Sequence, residues 1–264
     1  MRVYARILAA GFRTQTRYLP AAFAGLLANA TFGLLKSGIL LALVDGHGGA
    51  VAGYTAGTMA AYAWLSQGVL GSVNIYSLAG TARRIKSGDI AVDFLRPVDV
   101  QFASIADDVG RGLFALIPRG LPSVAVGVLL VGMTMPAEVL PYALGAVSLL
   151  LGITLSHALG YLVATAAFWL VEVRGLQILY MGVAGLLTGL ITPIWLFPDW
   201  LVAVALATPF PAVMMFPIDV LSGRTTGAAA AGLLAAQAGW LVVVLAAGQV
   251  TTRLGRRRLE VQGG

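Results

Sequence analysis

The chain has 264 residues, 59% of them hydrophobic and only 11% charged, with a mean hydropathy of +0.88. A soluble domain carries about 25% charged residues to wet its outside. This composition therefore excludes an ordinary globular protein and makes hydrocarbon the solvent of its outer faces. The net charge is +6, yet the basic residues sit at the ends of apolar runs, without interleaved aromatics, which argues for membrane orientation and contact with anionic lipids and against nucleic acid as a partner. There are no cysteines, so disulfides, thiolate metal sites and cysteine nucleophiles are excluded.

In chain order, residues 1–20 carry Arg2, Arg6, Arg13 and Arg17 opposite Tyr4, Ile7, Leu8, Phe12 and Leu19. That spacing predicts an N-terminal amphipathic helix lying at the membrane interface. Pro20 closes it and opens a first span over 21–44, too long for a cleaved signal and read as retained. After the turn Asp45-Gly46-His47-Gly48-Gly49, a second span covers 53–79. The longest polar stretch, 81–111, follows as a cytoplasmic region. The third span is 113–135, with Pro118, Arg119 and Pro122 near its start. The fourth is 140–170, and Glu172-Val173-Arg174 turns the chain into a fifth at 176–195. Residues 192–227 are apolar but hold Pro193, Pro198, Pro209, Pro211 and Pro217. One continuous helix cannot accommodate them, so short re-entrant helices on the outer side are expected. The sixth span, 228–250, leads into the basic tail Arg253, Arg256, Arg257 and Arg258.

The apolar runs are about twenty residues and do not alternate, which selects helices over a barrel. The expectation is an all-α polytopic membrane protein forming one transmembrane domain over 1–264, with both termini in the cytoplasm. With that orientation fifteen of the 17 basic residues face the cytoplasm; Arg224 lies outside and Lys36 within the first span. An odd number of spans would put the basic tail on the wrong side. Span four carries Ser148, Gly152, Ser156, Gly160 and Ala164 at every fourth position, a stripe that predicts close helix packing.

Known catalytic patterns are missing. No phosphate-binding G-x-x-x-x-G-K-[ST] loop exists, and no H-E-x-x-H, G-x-S-x-G or calcium-loop pattern. The chain is therefore expected to be no enzyme and to hold no metal or other cofactor of its own. Transport, channel formation or a scaffold role remain.

Three features together resemble the membrane subunit of an ABC-2 type ATP-binding cassette transporter, in particular small bacterial six-span permeases encoded apart from their ATPase. The first is the basic amphipathic segment leading into six spans. The second is Arg83-Arg84-Ile85-Lys86-Ser87-Gly88-Asp89-Ile90-Ala91-Val92-Asp93-Phe94-Leu95-Arg96-Pro97-Val98, similar to the segment "I-x-x-G-x-[IL]…L-L-R-P". The third is Pro193-Ile194-Trp195-Leu196-Phe197-Pro198-Asp199-Trp200-Leu201 followed by Thr208-Pro209-Phe210, similar to "P-x-x-x-[FL]-P-x-W-[LI]…P-[FL]".

The resemblance implies half of an exporter in the bacterial cell membrane: a second copy or a related permease completes the path, and two copies of a cytoplasmic ATPase bind ATP and Mg. It also implies that 83–100 is a coupling helix docking on that ATPase, with a smaller contact at 172–174. The coupling residues would be Arg83, Arg84, Lys86, Asp89, Arg96, Pro97, Glu172 and Arg174. The bland alternative for the basic ones is orientation alone. A secondary transporter or channel working without an ATPase is the rival reading. It calls for ionisable relays inside the spans, where only Lys36 and His157 lie deep.

Those two are candidates for the translocation path. Against that, Lys36 can snorkel outward toward Asp45, and His157 can be an interhelical hydrogen-bond partner. Trp169, Trp195 and Trp200 are expected as interface anchors, and Trp64 and Trp240 as packing residues. Glu172 and Arg174 either pair with each other or meet the ATPase.

Overall fold

The structure is a computed structural model. It describes residues 2–16, 19–73, 75, 79–170 and 172–258, with the backbone alone at 19–24 and 79. Arg17 and Tyr18 lie outside the described residues, as do the last residues of the basic tail region from 259 on.

Helix α1, Arg2–Gln15, turns Tyr4, Ile7, Leu8, Gly11 and Phe12 to one side, the i, i+3, i+4 stripe of an amphipathic helix. That stripe does not face open lipid; it lies on α6, Val100–Ala115. Phe12 meets Phe114 edge to face at 5.4 Å, and Tyr4 meets Phe102 at 6.2 Å. Gly11 and Gly110 let the two backbones touch: a Cβ on Gly110 would overlap the Leu8 carbonyl oxygen, and one on Gly11 the Asp107 carbonyl oxygen.

Helix α2, Leu19–Gly46, ends at a two-residue antiparallel hairpin of β1, Ala50–Val51, and β2, Tyr54–Thr55. Thr55 then starts α3, Ala56–Leu70, through a capping box with Thr58. Every residue from Met59 to Val69 is buried, so α3 is the central helix of the bundle. It is shorter than the expected 53–79 segment at both ends: the hairpin takes up the first residues, and a turn at 71–72 follows its last.

The polar stretch 81–111 is not one loop. It holds α4, Ala79–Lys86, then α5, Ile90–Phe94, then the first turns of α6. The Asp99 side chain accepts the Phe102 N–H and fixes the start of α6 at Val100. Hydropathy alone delays that start to 113, because Asp107, Asp108 and Arg111 look like loop; yet Asp107 and Arg111 are an i, i+4 ion pair at 2.8 Å, which suits a helix. The run continues through a π-helical turn at Leu116–Gly120, α7 at Leu121–Val126 and a second π turn at Gly127–Val131. The first wide turn contains Pro118 and leads to Pro122 at the start of α7, two residues that offer no N–H to the carbonyls of the preceding turn.

Helix α8, Leu140–Thr165, is continued by a 3₁₀ turn, Ala166–Phe168. All five residues of its small stripe are buried. Ser148 donates to Gln237 Oε1 at 2.7 Å, and Gln237 Nε2 donates to the carbonyls of Ser148 and Ala212.

Helix α9, Arg174–Leu187, stops well before the expected end at 195. A 3₁₀ turn, Ile194–Leu196, and three short helices follow: α10, Asp199–Leu206; α11, Phe210–Val213; and α12, Met215–Leu221. These interrupted pieces are what the proline spacing predicts, and α11 and α12 fold back onto α8. The last helix, α13, is Gly227–Arg256.

Among the described residues four helical segments are long and apolar enough to cross a membrane: Gly25–Gly46, Val100–Val131, Leu140–Phe168 and Gly227–Arg256. The apolar α9 is shorter. The fold is all-α apart from the small hairpin, and polytopic.

Candidate coupling surface and basic cavity

One end of the bundle gathers α1, α4, α5, the start of α6 and the end of α13. Asp99 ties it together. Its backbone N–H donates to the Tyr4 hydroxyl at 3.1 Å, and Gln249 Nε2 on α13 donates to both carboxylate oxygens at 3.0 Å. Sequence reading passed over this residue; an Asp two residues after Pro97 and just ahead of an apolar run is the N-cap signal that would have found it.

The coupling candidates fall on this end. Arg83, Arg84 and Lys86 lie on α4, Asp89 just before α5, and Arg96 and Pro97 just after it. Asp93 on α5 accepts Arg84 Nε at 2.6 Å and pairs with Arg96 at 3.5 Å. Ser87 donates to Asp89 at 2.7 Å. Hydrogen bonding to Asp93 raises the Arg84 guanidinium above its ordinary value, so α4 and α5 are held together by charge.

Lys86 reaches Glu172 at 3.3 Å and so joins α4 to the turn before α9. Glu172 does not bind the Arg174 side chain; it accepts the Arg174 backbone N–H at 3.1 Å. That hydrogen bond, then Lys86, lowers the Glu172 carboxyl. The Lys86 link is therefore complete at neutral pH and is lost only as pH falls through the lowered value. Both side chains are more than half exposed, so Glu172→Gln should leave the unfolding temperature unchanged. Beside these charges Val92 is 55% and Leu95 84% exposed, an apolar edge on a charged surface.

Lys36 and His157 are not brought together. Lys36 does not snorkel toward Asp45. It turns inward and donates to Ser66 Oγ at 2.7 Å, to the Leu190 carbonyl at 2.7 Å and to the Tyr62 hydroxyl at 3.2 Å, with the ammonium 4.3 Å from the Tyr62 ring centre. Tyr62 in turn donates to the Gly189 carbonyl. The end of α9 leaves carbonyls free inside the bundle, and a cation at a helix C-terminus is the favourable partner for them. We expect Lys36→Met to strand the Leu190 carbonyl and cost about 1–3 kcal/mol, read as a lower unfolding temperature in detergent, with Lys36→Arg closer to wild type.

Trp195 is turned into the protein instead of anchoring at an interface: its Nε1 donates to Asp219 Oδ2 at 2.8 Å. Trp169 and Trp200 are exposed, and Trp64 is fully buried.

His157 lines a cavity of about 1030 Å³ that opens at the basic end between α3, α4, α6 and α8. Arg83, Arg84, Arg96, Arg111 and Arg119 share its wall with Asp93, Asp107 and Asp108. Apolar helices long enough to cross a membrane around a charged cavity describe a multi-pass membrane protein. The chain matches the family described as ABC-2 family transporter protein over residues 34–263. It belongs to that family, and it is an ABC transporter permease. No curated protein matches it in sequence.

Proposed function

We propose that the chain is the permease subunit of an ATP-driven exporter in the bacterial cell membrane, forming half of the path with six passes and both termini in the cytoplasm. A second copy or a related permease supplies the other half. Two copies of a separate ATPase hold ATP and Mg, and hydrolysis takes place there. The observation that carries this reading is the joined surface of α4, α5 and the 172–174 turn, where the Lys86–Glu172 pair links both expected contact segments. Exposed Val92, Leu95 and Pro97 give such a surface apolar area to bury, and the ring of charge gives it register.

The energetics are those of linkage. Nucleotide closes the ATPase pair, and its differential affinity for the two states of the complex shifts the permease between inward- and outward-facing forms. Lys36 is held by three hydrogen bonds within the bundle, which supports this reading over a channel or secondary transporter working through an intramembrane relay.

Co-purification with the ATPase, and the rise in ATP hydrolysis on assembly, test the proposal. Reversing Arg83, Arg84 and Arg96 to glutamate should weaken association at least about tenfold. Leu95→Asp, which touches no internal ion pair, should weaken it as well. Intact association in both variants, each with normal thermal unfolding, would sink the docking surface.

A further inference from the structure

We propose that the basic cavity is a binding site for an anionic headgroup, a phosphate or similar oxyanion, with Arg119 as its charged contact and His157 as its second polar contact. The inference concerns binding to this chain alone and does not depend on an ATPase.

Arg119 carries the argument. It lies in the π-helical turn Leu116–Gly120, inside a helical run long and apolar enough to cross a membrane. A charge at such a place is costly and usually functional, and π turns inside helices are frequent at working sites. Its side chain is laid between two glycines: a Cβ on Gly25 would stand 2.6 Å from Nη2, and one on Gly71 2.8 Å from Cδ. Both positions are thus open only because no side chain is there. Yet among the described residues the guanidinium has no hydrogen bond or ion pair.

The other arginines of the wall are already engaged. Arg84 and Arg96 hold Asp93, and Arg111 holds Asp107. Asp108 is attracted by Arg111 and repelled by Asp107 on its own helix. Arg119 lines the same cavity without a partner among the described residues, and a guanidinium offers five donors in a plane, the geometry that suits an oxyanion.

His157 is the independent second observation. It is 6% exposed, and neither ring nitrogen has a hydrogen-bond partner among the described residues. The Ser72 backbone faces it without meeting hydrogen-bond geometry. Nε2 looks across Gly112, where a Cβ would come within 3.2 Å. Ser72 follows Gly71, which borders Arg119, so both unsatisfied groups flank the same turn at the end of α3. Buried polar groups in folded proteins are normally paired; the unpaired His157 ring is buried on the same cavity wall as the half-buried, unpartnered Arg119, an arrangement that a ligand would complete. Leu70, Val73 and Phe114 on the same wall offer apolar contact to the stem of an amphiphile.

The experiment uses the full chain purified in detergent, without any ATPase. Native mass spectrometry and thermal shift compare phosphatidylglycerol, phosphatidylcholine and inorganic phosphate on wild type, Arg119→Gln, Arg119→Lys and His157→Asn. We expect the anionic lipid to bind at least tenfold more tightly than phosphatidylcholine, with that preference lost in Arg119→Gln and partly kept in Arg119→Lys. His157→Asn should weaken it less. Binding of inorganic phosphate that also needs Arg119 would support the site with a soluble anion as its ligand. Equal retention of the two lipids by wild type together with no phosphate binding would overturn the proposal, a result that needs no variant to fold. A preference unchanged in a folded Arg119→Gln would overturn it too. Loss of ATPase association in the coupling variants bears on neither outcome.

Discussion

Asp219→Ala is expected to be among the most damaging single substitutions, lowering stability by about 3 kcal/mol. Asp219 on α12 is 1% exposed and accepts Trp195 Nε1 at 2.8 Å. Arg224, in the turn before α13, reaches it at 3.4 Å and also donates to the Tyr54 hydroxyl and the Ala52 carbonyl, both at 3.0 Å. The guanidinium carbon stands 4.0 Å from the Tyr54 ring centre. One carboxylate thus holds the hairpin, the 3₁₀ turn and the start of α13 together. Deleting it leaves a largely buried guanidinium and an indole N–H without an acceptor.

Burial pushes the Asp219 carboxyl up, while Arg224, Trp195 and Tyr54 pull it back less strongly. The sign follows. A raised carboxyl binds its proton earlier in the folded state, so the penalty of this buried charge is relieved as pH falls through the raised value toward the ordinary one, and mild acid should not lower stability through this group. It follows also that desolvation outweighs attraction, so a paired Asp219→Leu/Arg224→Leu variant should be more stable than either single change. A double-mutant cycle by thermal unfolding in detergent checks both statements. Additive single effects would show that the two residues do not act as a unit.

Gly110→Leu should release α1 from α6. Cβ atoms at Gly110 and Gly11 would overlap backbone, not the flexible end of a side chain, so the helices themselves must separate. Overpacking of this kind costs about 1–3 kcal/mol. The damage would be local: Tyr4 would leave the Asp99 N–H, and the Phe12–Phe114 contact would open. Trypsin should then cut at Arg6 and Arg13 at least tenfold faster than in wild type, while the unfolding temperature of the rest falls only slightly. Gly110→Ala should give the same change in smaller degree. Cleavage at the wild-type rate in Gly110→Leu would mean that α1 has another anchor. Because Asp99 also receives Gln249 and opens α6 directly after α5, release of α1 should reduce coupled ATP hydrolysis as well.

The amino-acid sequence by itself determined the solvent and the polymer. Few charges, apolar runs of helical length and prolines clustered in 192–227 leave few choices once every backbone polar group must be satisfied without water. The small stripe on α8 was legible because close approach in lipid depends on side-chain size at a fixed spacing. The family was legible in the order of its segments. Only the tertiary structure decided where polar atoms in apolar surroundings find partners, because those partners are remote in sequence and many are backbone. Lys36 meets a carbonyl at Leu190, Trp195 meets Asp219, and α1 covers its stripe with α6 instead of lipid. Hydropathy reads Asp107, Asp108 and Arg111 as loop and Arg119 as a mere topology signal. Their placement on one helical wall, with Arg119 left unpaired at its π turn, is a product of packing and has no local signature.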